Sequence, residues 1–324
     1  HPPPQQQRQQ PIGDIGGALV LDDAEIERKR CIGRGAYGEV YQCVWRGNEV
    51  AVKVTTGVRG DDEISKEART LASIRAHPNV VTFYGCVLQP RVSLVTRWYH
   101  AGSLDRLLFD DSVPIDGARQ HRWLRGIAAG LQHLHAYDII HRDLASRNVL
   151  LDDNDAALIT DFGLSRCLVA ASGGGAGGAG TLDVATTRTT VGPVCWMAPE
   201  MLRARAYSKA SDVFAFGCTS YEVIERRPPW HGVDVTLVIH HVLCGQRAER
   251  RRDVWPPLVY AMVDECWIEE ATSRPTAAAC FRKLNDAAAY VDGGADGSAH
   301  DVADDSDDDE PVYNTIAMRC EKNS

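Results

Sequence analysis

The sequence predicts an α+β chain in two unequal parts, a small β-rich one followed by a larger, mostly helical one. Three observations carry this expectation. Residues 26–56 are rich in β-branched side chains, open on a glycine-rich run, and place the turn RGN at 46–48 between two strand-like runs. From about residue 117 long segments take helical spacing, as in ARQHRWLRGIAAGLQHLHAY and ASDVFAFGCTSYEVIE. Both ends are low in complexity, which confines the fold between them.

The N-terminal segment 1–25 is Pro/Gln/Gly-rich and is expected to be largely disordered. The folded part is expected over 26–290, with a small lobe at 26–99 and a larger one at 100–290; 291–324 reads as an acidic disordered tail. Within the larger lobe, ASGGGAGGAG at 171–180 reads as a flexible loop insertion. With 324 residues, 44% of them hydrophobic, the chain can bury a substantial core in two lobes.

Charge and cysteine use narrow the function classes. The net charge of −9 is concentrated in the tail, where residues 291–324 hold ten Asp/Glu against two Lys/Arg. The folded part is close to neutral, so no nucleic-acid partner is expected. The ten cysteines stand singly, with no Cys-x-x-Cys and no Cys/His cluster at zinc spacing. That pattern fits reduced thiols in a cytoplasmic setting. The apolar run IGGALVL at 15–21 is too short to cross a bilayer, so no membrane segment is expected in this chain. The chain opens on His1 rather than Met, as a piece of a longer protein would, and a tether upstream is compatible with the sequence.

The first chemical signal is IGRGAYGEV at 32–40, which spaces Gly33, Gly35 and Gly38 as G-x-G-x-x-G. A dinucleotide-binding fingerprint has this spacing but must lead into a helix. Here it leads through EVYQCVW and a turn into EVAVKV, a β-hairpin, so a Rossmann-type dehydrogenase is set aside. In VAVKV side chains alternate faces: Val50, Val52 and Val54 share one, Ala51 and Lys53 the other. A lysine in so apolar a strand either snorkels to solvent or meets an anion beneath the glycine loop. The next helical stretch, DDEISKEARTLASIRAH, carries an apolar stripe of Ile64, Ala68, Leu71 and Ile74, and Glu67 falls within it. A carboxylate on a buried face is costly unless paired, and a Lys53–Glu67 pair satisfies both groups.

HRDLASRN at 141–148, DFG at 161–163 and APE at 198–200 then follow in order. Together with the glycine loop, VAVK and Glu67, the set resembles the protein kinase superfamily, its tyrosine kinase and tyrosine-kinase-like groups, from about residue 26 to 290. The resemblance implies a bilobal protein kinase fold with ATP and Mg2+ as cofactors and a protein as substrate. It gives Asp143 the role of orienting the acceptor hydroxyl and taking its proton, and makes Asn148 and Asp161 magnesium ligands. Lys53, paired with Glu67, would hold the α- and β-phosphates beneath the amides around Gly33, Gly35 and Gly38. Ile32, Val40 and Ala51 complete the nucleotide-binding set. Thr96 would be the gatekeeper of the hinge, and the backbone of Arg97 and Tyr99 would bind adenine. Leu71, Phe83, His141 and Phe162 would stack as an internal spine. Glu200 and Arg274 would pair to anchor the substrate-binding segment, and Asp212 would cap the catalytic loop.

The acceptor is read from two positions. Ala145 stands where Ser/Thr kinases usually carry Lys, with Arg147 four residues after Asp143. Pro193 stands where they usually carry Thr. Both resemble the tyrosine-kinase form, so tyrosine is the favoured acceptor and Arg147 is counted with the catalytic groups. In contrast, VYQCVWRGNEVAVK resembles the tyrosine-kinase-like group, and the activation segment offers Thr181, Thr186, Thr187, Thr189 and Thr190 but no Tyr. Serine/threonine or dual specificity is therefore the alternative, and a pseudokinase scaffold the rival of another class. Two regulatory features are expected: pairing of Arg142 with a phosphate on Thr186–Thr190, and phosphorylation of Tyr313, in DDEPVYNTIAM, to give an SH2-type docking point.

Overall fold

Five antiparallel strands build the small lobe: β1 (Ile26–Gly35), β2 (Gly38–Trp45), β3 (Asn48–Thr55), β4 (Phe83–Val87) and β5 (Ser93–Arg97), in the spatial order β1-β2-β3-β5-β4. The computed structural model describes residues 19–35, 38–55, 58–162, 166–167, 194–251 and 255–292. The alternation in VAVKV sorts as its period requires. Val50, Val52 and Val54 pack with Cys43 and Val95 in a core on one face of the sheet. Ala51 and Lys53 face the other way, into a cleft. Helix α1 (Val58–Ser73) covers that side, burying Ile64, Ala68 and Leu71; Ile74 lies just past its end and is half-buried.

The described residues of the N-terminal segment are more ordered than its composition suggests. Leu21 N–H donates to the Cys86 carbonyl at 2.8 Å and Cys86 N–H to the Leu19 carbonyl at 2.9 Å, so Leu19–Leu21 pair with the β4 edge. Gly85, at φ 155°, permits this approach, since a side chain there would collide with the Leu19 carbonyl.

The larger lobe is mostly helical: α2 (Leu104–Leu108), α3 (Gly117–Ala136), α4 (Pro199–Ala204), α5 (Lys209–Glu225), α6 (Val235–Leu243), α7 (Pro257–Cys266) and α8 (Ala277–Asp292). Short strands β6 (Ile139–Ile140), β7 (Val149–Leu151), β8 (Ala157–Ile159) and β9 (Arg166–Cys167) pair as β6 with β9 and β7 with β8. Helix starts follow local chemistry. The Asp116 side chain accepts from Arg119 N–H at 2.7 Å at the head of α3, and Ser208 and Ser211 form a reciprocal capping box on α5. Every residue of α5 from Ser211 to Glu225 is buried. Its polar residues must therefore find partners inside the protein, and those partners are what position the site.

One apolar core runs from Ile64 of α1 through α3 and α5 to Leu284 of α8, spanning both lobes. No helix among the described residues is long and apolar enough to cross a membrane. Residues 1–18, the insertion 171–180, the activation-segment threonines, Pro193 and Tyr313 lie outside the described residues.

Candidate active site

A cleft of about 610 Å³ opens between the sheet and the helical lobe. Of the residues singled out in the sequence, Ile32, Val40, Ala51, Lys53, Glu67, Thr96, Arg97, Tyr99, Arg147, Asn148 and Asp161 line it. Its walls also hold residues that motif reading passed over, among them Leu94, His100, Ser103 and Leu150. Gly33, Gly38 and Asp143 are not among the described residues that line it. Gly35 and Gly38 face each other across the β1–β2 pair, at the lip of the sheet. A side chain at Gly33 would meet no atom of the described residues within 4 Å, so their packing does not demand glycine there.

On the upper wall, Lys53 Nζ lies 2.9 Å from Glu67 Oε2 and 3.0 Å from Asp161 Oδ1. Burial opposes the charge on Lys53, but Asp161 and Glu67 together outweigh it and hold its pKa above the usual lysine value. For Glu67 burial wins and pushes the carboxyl up, against the pull of Lys53. The second Glu67 oxygen accepts from Phe162 N–H at 3.1 Å, so one carboxylate orients both the lysine and the backbone after Asp161. Asp161 itself has φ 62°, a left-handed conformation rare for a non-glycine residue. Leu71 and Phe162 belong to one core, Phe83 packs against it, and the buried His141 ring lies 5.4 Å from that of Phe162.

On the lower wall, the loop 141–148 hangs from α5. Asp212 accepts from His141 N–H at 2.8 Å, Arg142 N–H at 2.9 Å, and pairs with His135 Nε2 at 3.0 Å. This grip holds Arg142 at φ 74°. The buried His141 ring ties the loop to the strand before Asp161. Its Nε2 lies 3.0 Å from the Thr160 carbonyl, which can only accept, and its Nδ1 accepts from Asp143 N–H at 3.3 Å. Both contacts require the neutral Nε2–H tautomer.

Asp143 is pinned on both oxygens, one by Arg147 and the other by Asn148 Nδ2 at 2.9 Å. Asn148 Nδ2 also donates to the Asp143 carbonyl at 2.7 Å. Its two N–H groups are thereby committed, which leaves its amide oxygen as the outward-facing donor atom. Burial pushes the Asp143 carboxyl up, against the opposing pull of the Arg147 guanidinium. A fixed carboxylate with raised basicity, beside a lysine and two hard oxygen donors, suits phosphoryl transfer.

Sequence reasoning missed Glu222. It is buried on α5 and accepts from Ser146 N–H at 2.8 Å, Ser146 Oγ at 2.6 Å and Trp196 Nε1 at 2.8 Å. Burial raises its pKa to about 7 despite these donors. The sequence offered no signal that separates it from Glu225, three residues on along the same helix. Glu200 and Arg274 pair through two 2.7 Å contacts, as the resemblance implied.

Residues 26–284 match the family model for protein tyrosine and serine/threonine kinases, and the chain belongs to that family. Relatives include the probable serine/threonine-protein kinase drkC of Dictyostelium discoideum, 35% identical over 82% of this chain and 35% of the relative. The probable serine/threonine-protein kinase drkB of the same organism is 32% identical over 82% of this chain and 37% of the relative. The serine/threonine-protein kinase CTR1 of Arabidopsis thaliana is 31% identical over 82% and 32%. The chain thus spans about a third of the length of these curated relatives.

Proposed function

We propose that this protein kinase transfers the γ-phosphate of ATP to serine or threonine hydroxyls of a protein substrate. The observation that carries the reading is the convergence of Lys53, Glu67, Asp161 and Asn148 at one cleft, with Asp143 bound to Asn148 beside it. The choice of acceptor rests on the relatives, whose names specify serine/threonine kinases. It departs from the tyrosine preference drawn from Ala145, Arg147 and Pro193. In this chain Ala145 is fully buried, and the cation bound to Asp143 is Arg147.

In this reading Lys53 binds the α- and β-phosphates, with its charge held by Glu67. Ile32, Val40, Ala51 and the 96–99 hinge take the adenine, and the Gly33–Gly38 loop covers the phosphates. Asp143 orients the acceptor hydroxyl and receives its proton, which places that hydroxyl within hydrogen-bond reach of the carboxylate. Arg147 holds the carboxylate in that orientation. The Asn148 amide oxygen and the Asp161 carboxylate are hard donors of the type a magnesium ion takes, and such an ion neutralises phosphate charge when bound. Tyr313, if phosphorylated to recruit an SH2-type partner, would be the substrate of a tyrosine-directed enzyme.

The test is transfer of labelled γ-phosphate from ATP to dephosphorylated casein, with and without EDTA. Magnesium-dependent labelling is expected. A protein that binds ATP yet transfers nothing is a pseudokinase scaffold, and the proposal is then wrong.

A further inference from the structure

The catalytic loop is held at two places by one helix, at its start by Asp212 and near its end by Glu222. The second grip, at Glu222, ties the loop to the segment ahead of α4. One of its oxygens receives two N–H donors at once, Ser146 N and Trp196 Nε1, each at 2.8 Å. Those donors belong to different segments. Ser146 lies three residues after Asp143 in the catalytic loop, while Trp196 ends the 3₁₀ turn Val194–Trp196 that leads into α4.

Trp196 has a second contact on its ring face. The Arg147 guanidinium carbon lies 4.7 Å from the ring centroid, and the same guanidinium pairs with Asp143. A closed circuit results: Asp143 to Arg147, Arg147 to the Trp196 ring, Trp196 N–H to Glu222, Glu222 to Ser146, and Ser146 back along the loop to Asp143. Arg147 lines the nucleotide cleft, whereas Trp196 and Glu222 do not. Trp196 and Glu222 therefore stand behind the carboxylate that meets the acceptor and apart from the walls that meet the nucleotide.

We infer that Glu222 and Trp196 are positioning residues for the acceptor half of the reaction, fixing Asp143 and Arg147 relative to the segment that enters α4. The inference rests on the proposed phosphotransfer and assigns that site two groups beyond its catalytic set. Glu222 acts through charge-assisted hydrogen bonds, which are about twice as strong as neutral ones. Its burial makes the charge costly to the fold, so the carboxylate has a positioning effect that stability alone does not require.

Two variants separate positioning from mere structure. Trp196→Phe keeps a ring under Arg147 and removes the N–H donor. Glu222→Gln can still meet all three donors: its oxygen takes the two N–H groups, and the Ser146 hydroxyl turns to accept from the amide. With dephosphorylated casein as acceptor, Trp196→Phe should lower kcat/KM for casein by about tenfold, the loss expected for one charge-assisted hydrogen bond. Its KM for ATP should stay at the wild-type value. Glu222→Gln should lower the same quantity several-fold while its unfolding temperature is unchanged or raised. Casein kinetics at the wild-type level in both variants would overturn the inference. So would a fall in unfolding temperature and a rise in KM for ATP that track the loss of transfer. If Trp196→Phe does not fold, Glu222→Gln alone decides, because its hydrogen bonds are all accounted for. A wild-type protein that labels no casein overturns the proposed function itself, an outcome distinct from active wild type with unaffected variants.

Discussion

The two walls of the cleft differ in how their buried supporting carboxylates are satisfied. On the sheet side, charge is balanced by charge: Lys53 sits between the Glu67 and Asp161 carboxylates, and each ion answers another. On the helical side, Asp212 and Glu222 are buried on α5, and their hydrogen-bond donors are backbone amides, a hydroxyl, an indole and a histidine. The difference follows from the elements. A strand next to a helix can present a long cation to a facing carboxylate, and part of the lysine stays exposed to an incoming phosphate. A helix buried all round offers little room for a cation, but a tight loop turned against it presents several unpaired N–H groups at once. The upper wall can therefore exchange partners when a polyanion arrives, and the lower wall stays fixed.

The largest effect should come where both walls converge. Asp143→Asn keeps the shape but removes the proton acceptor, and should lower kcat by about 10²–10⁴-fold, read from casein labelling at saturating MgATP. Breaking the upper wall at Lys53→Met should lower kcat by about 10²–10³-fold. Since the change leaves Glu67 and Asp161 without their shared cation, circular dichroism should accompany the assay to show that the fold persists. Near-normal transfer by Lys53→Met would remove the charge-for-charge half of the comparison.

Breaking the lower wall should act through stability first. Asp212→Asn places an amide N–H₂ opposite donors, and should cost about 1–3 kcal/mol, seen as a lower midpoint in urea. A midpoint equal to wild type would mean that the loop does not depend on this grip.

The smallest effect sharpens the comparison through pH. Glu222 in the folded protein has its pKa raised from the ordinary value of 4.5 to about 7. Between those values the fold retains a proton that the unfolded chain releases, so this group's contribution to stability falls as pH rises from about 5 to 7 and then levels. Ionisation meanwhile strengthens its hold on Ser146 and Trp196. The charged and titratable groups facing it are Arg147 from the loop, Cys195 beside Trp196, and Cys218 on α5; burial pushes both thiols up, so they stay protonated in this range. Casein labelling should therefore rise a few-fold between pH 6 and 8, with stability moving the opposite way, and Glu222→Gln should flatten both trends. A profile identical in the variant would take Glu222 out of this account.

Much of the upper wall was legible in the sequence because local periodicity carried it. The alternation in VAVKV put Lys53 on the face opposite three valines, and the helical stripe put Glu67 on the buried side. The pairing needed only the rule that buried charges are matched. Asp143, Asn148 and Asp161 were legible as an ordered motif set. Glu222 was not, because its role comes from a long-range approach: its donors lie 76 and 26 residues away in the chain. Nothing in the spacing of α5 distinguishes a carboxylate that grips the loop from one such as Glu225, which holds Arg251 and Trp255. The order of Leu19–Leu21 also escaped, since its cause is the free edge of β4 and the glycine that opens it, a property of the sheet and not of the segment. The acceptor residue was read from Ala145 and Pro193, and similarity across the whole domain favours a different hydroxyl.

Phosphoamino-acid analysis tests the central claim most directly. Wild type and Asp143→Asn would be incubated side by side with labelled MgATP and casein, and the labelled residues identified after acid hydrolysis. Phosphoserine and phosphothreonine from the wild type, with neither from Asp143→Asn, is the expected result. Label on tyrosine alone, or equal incorporation by the Asp143→Asn protein, would contradict it.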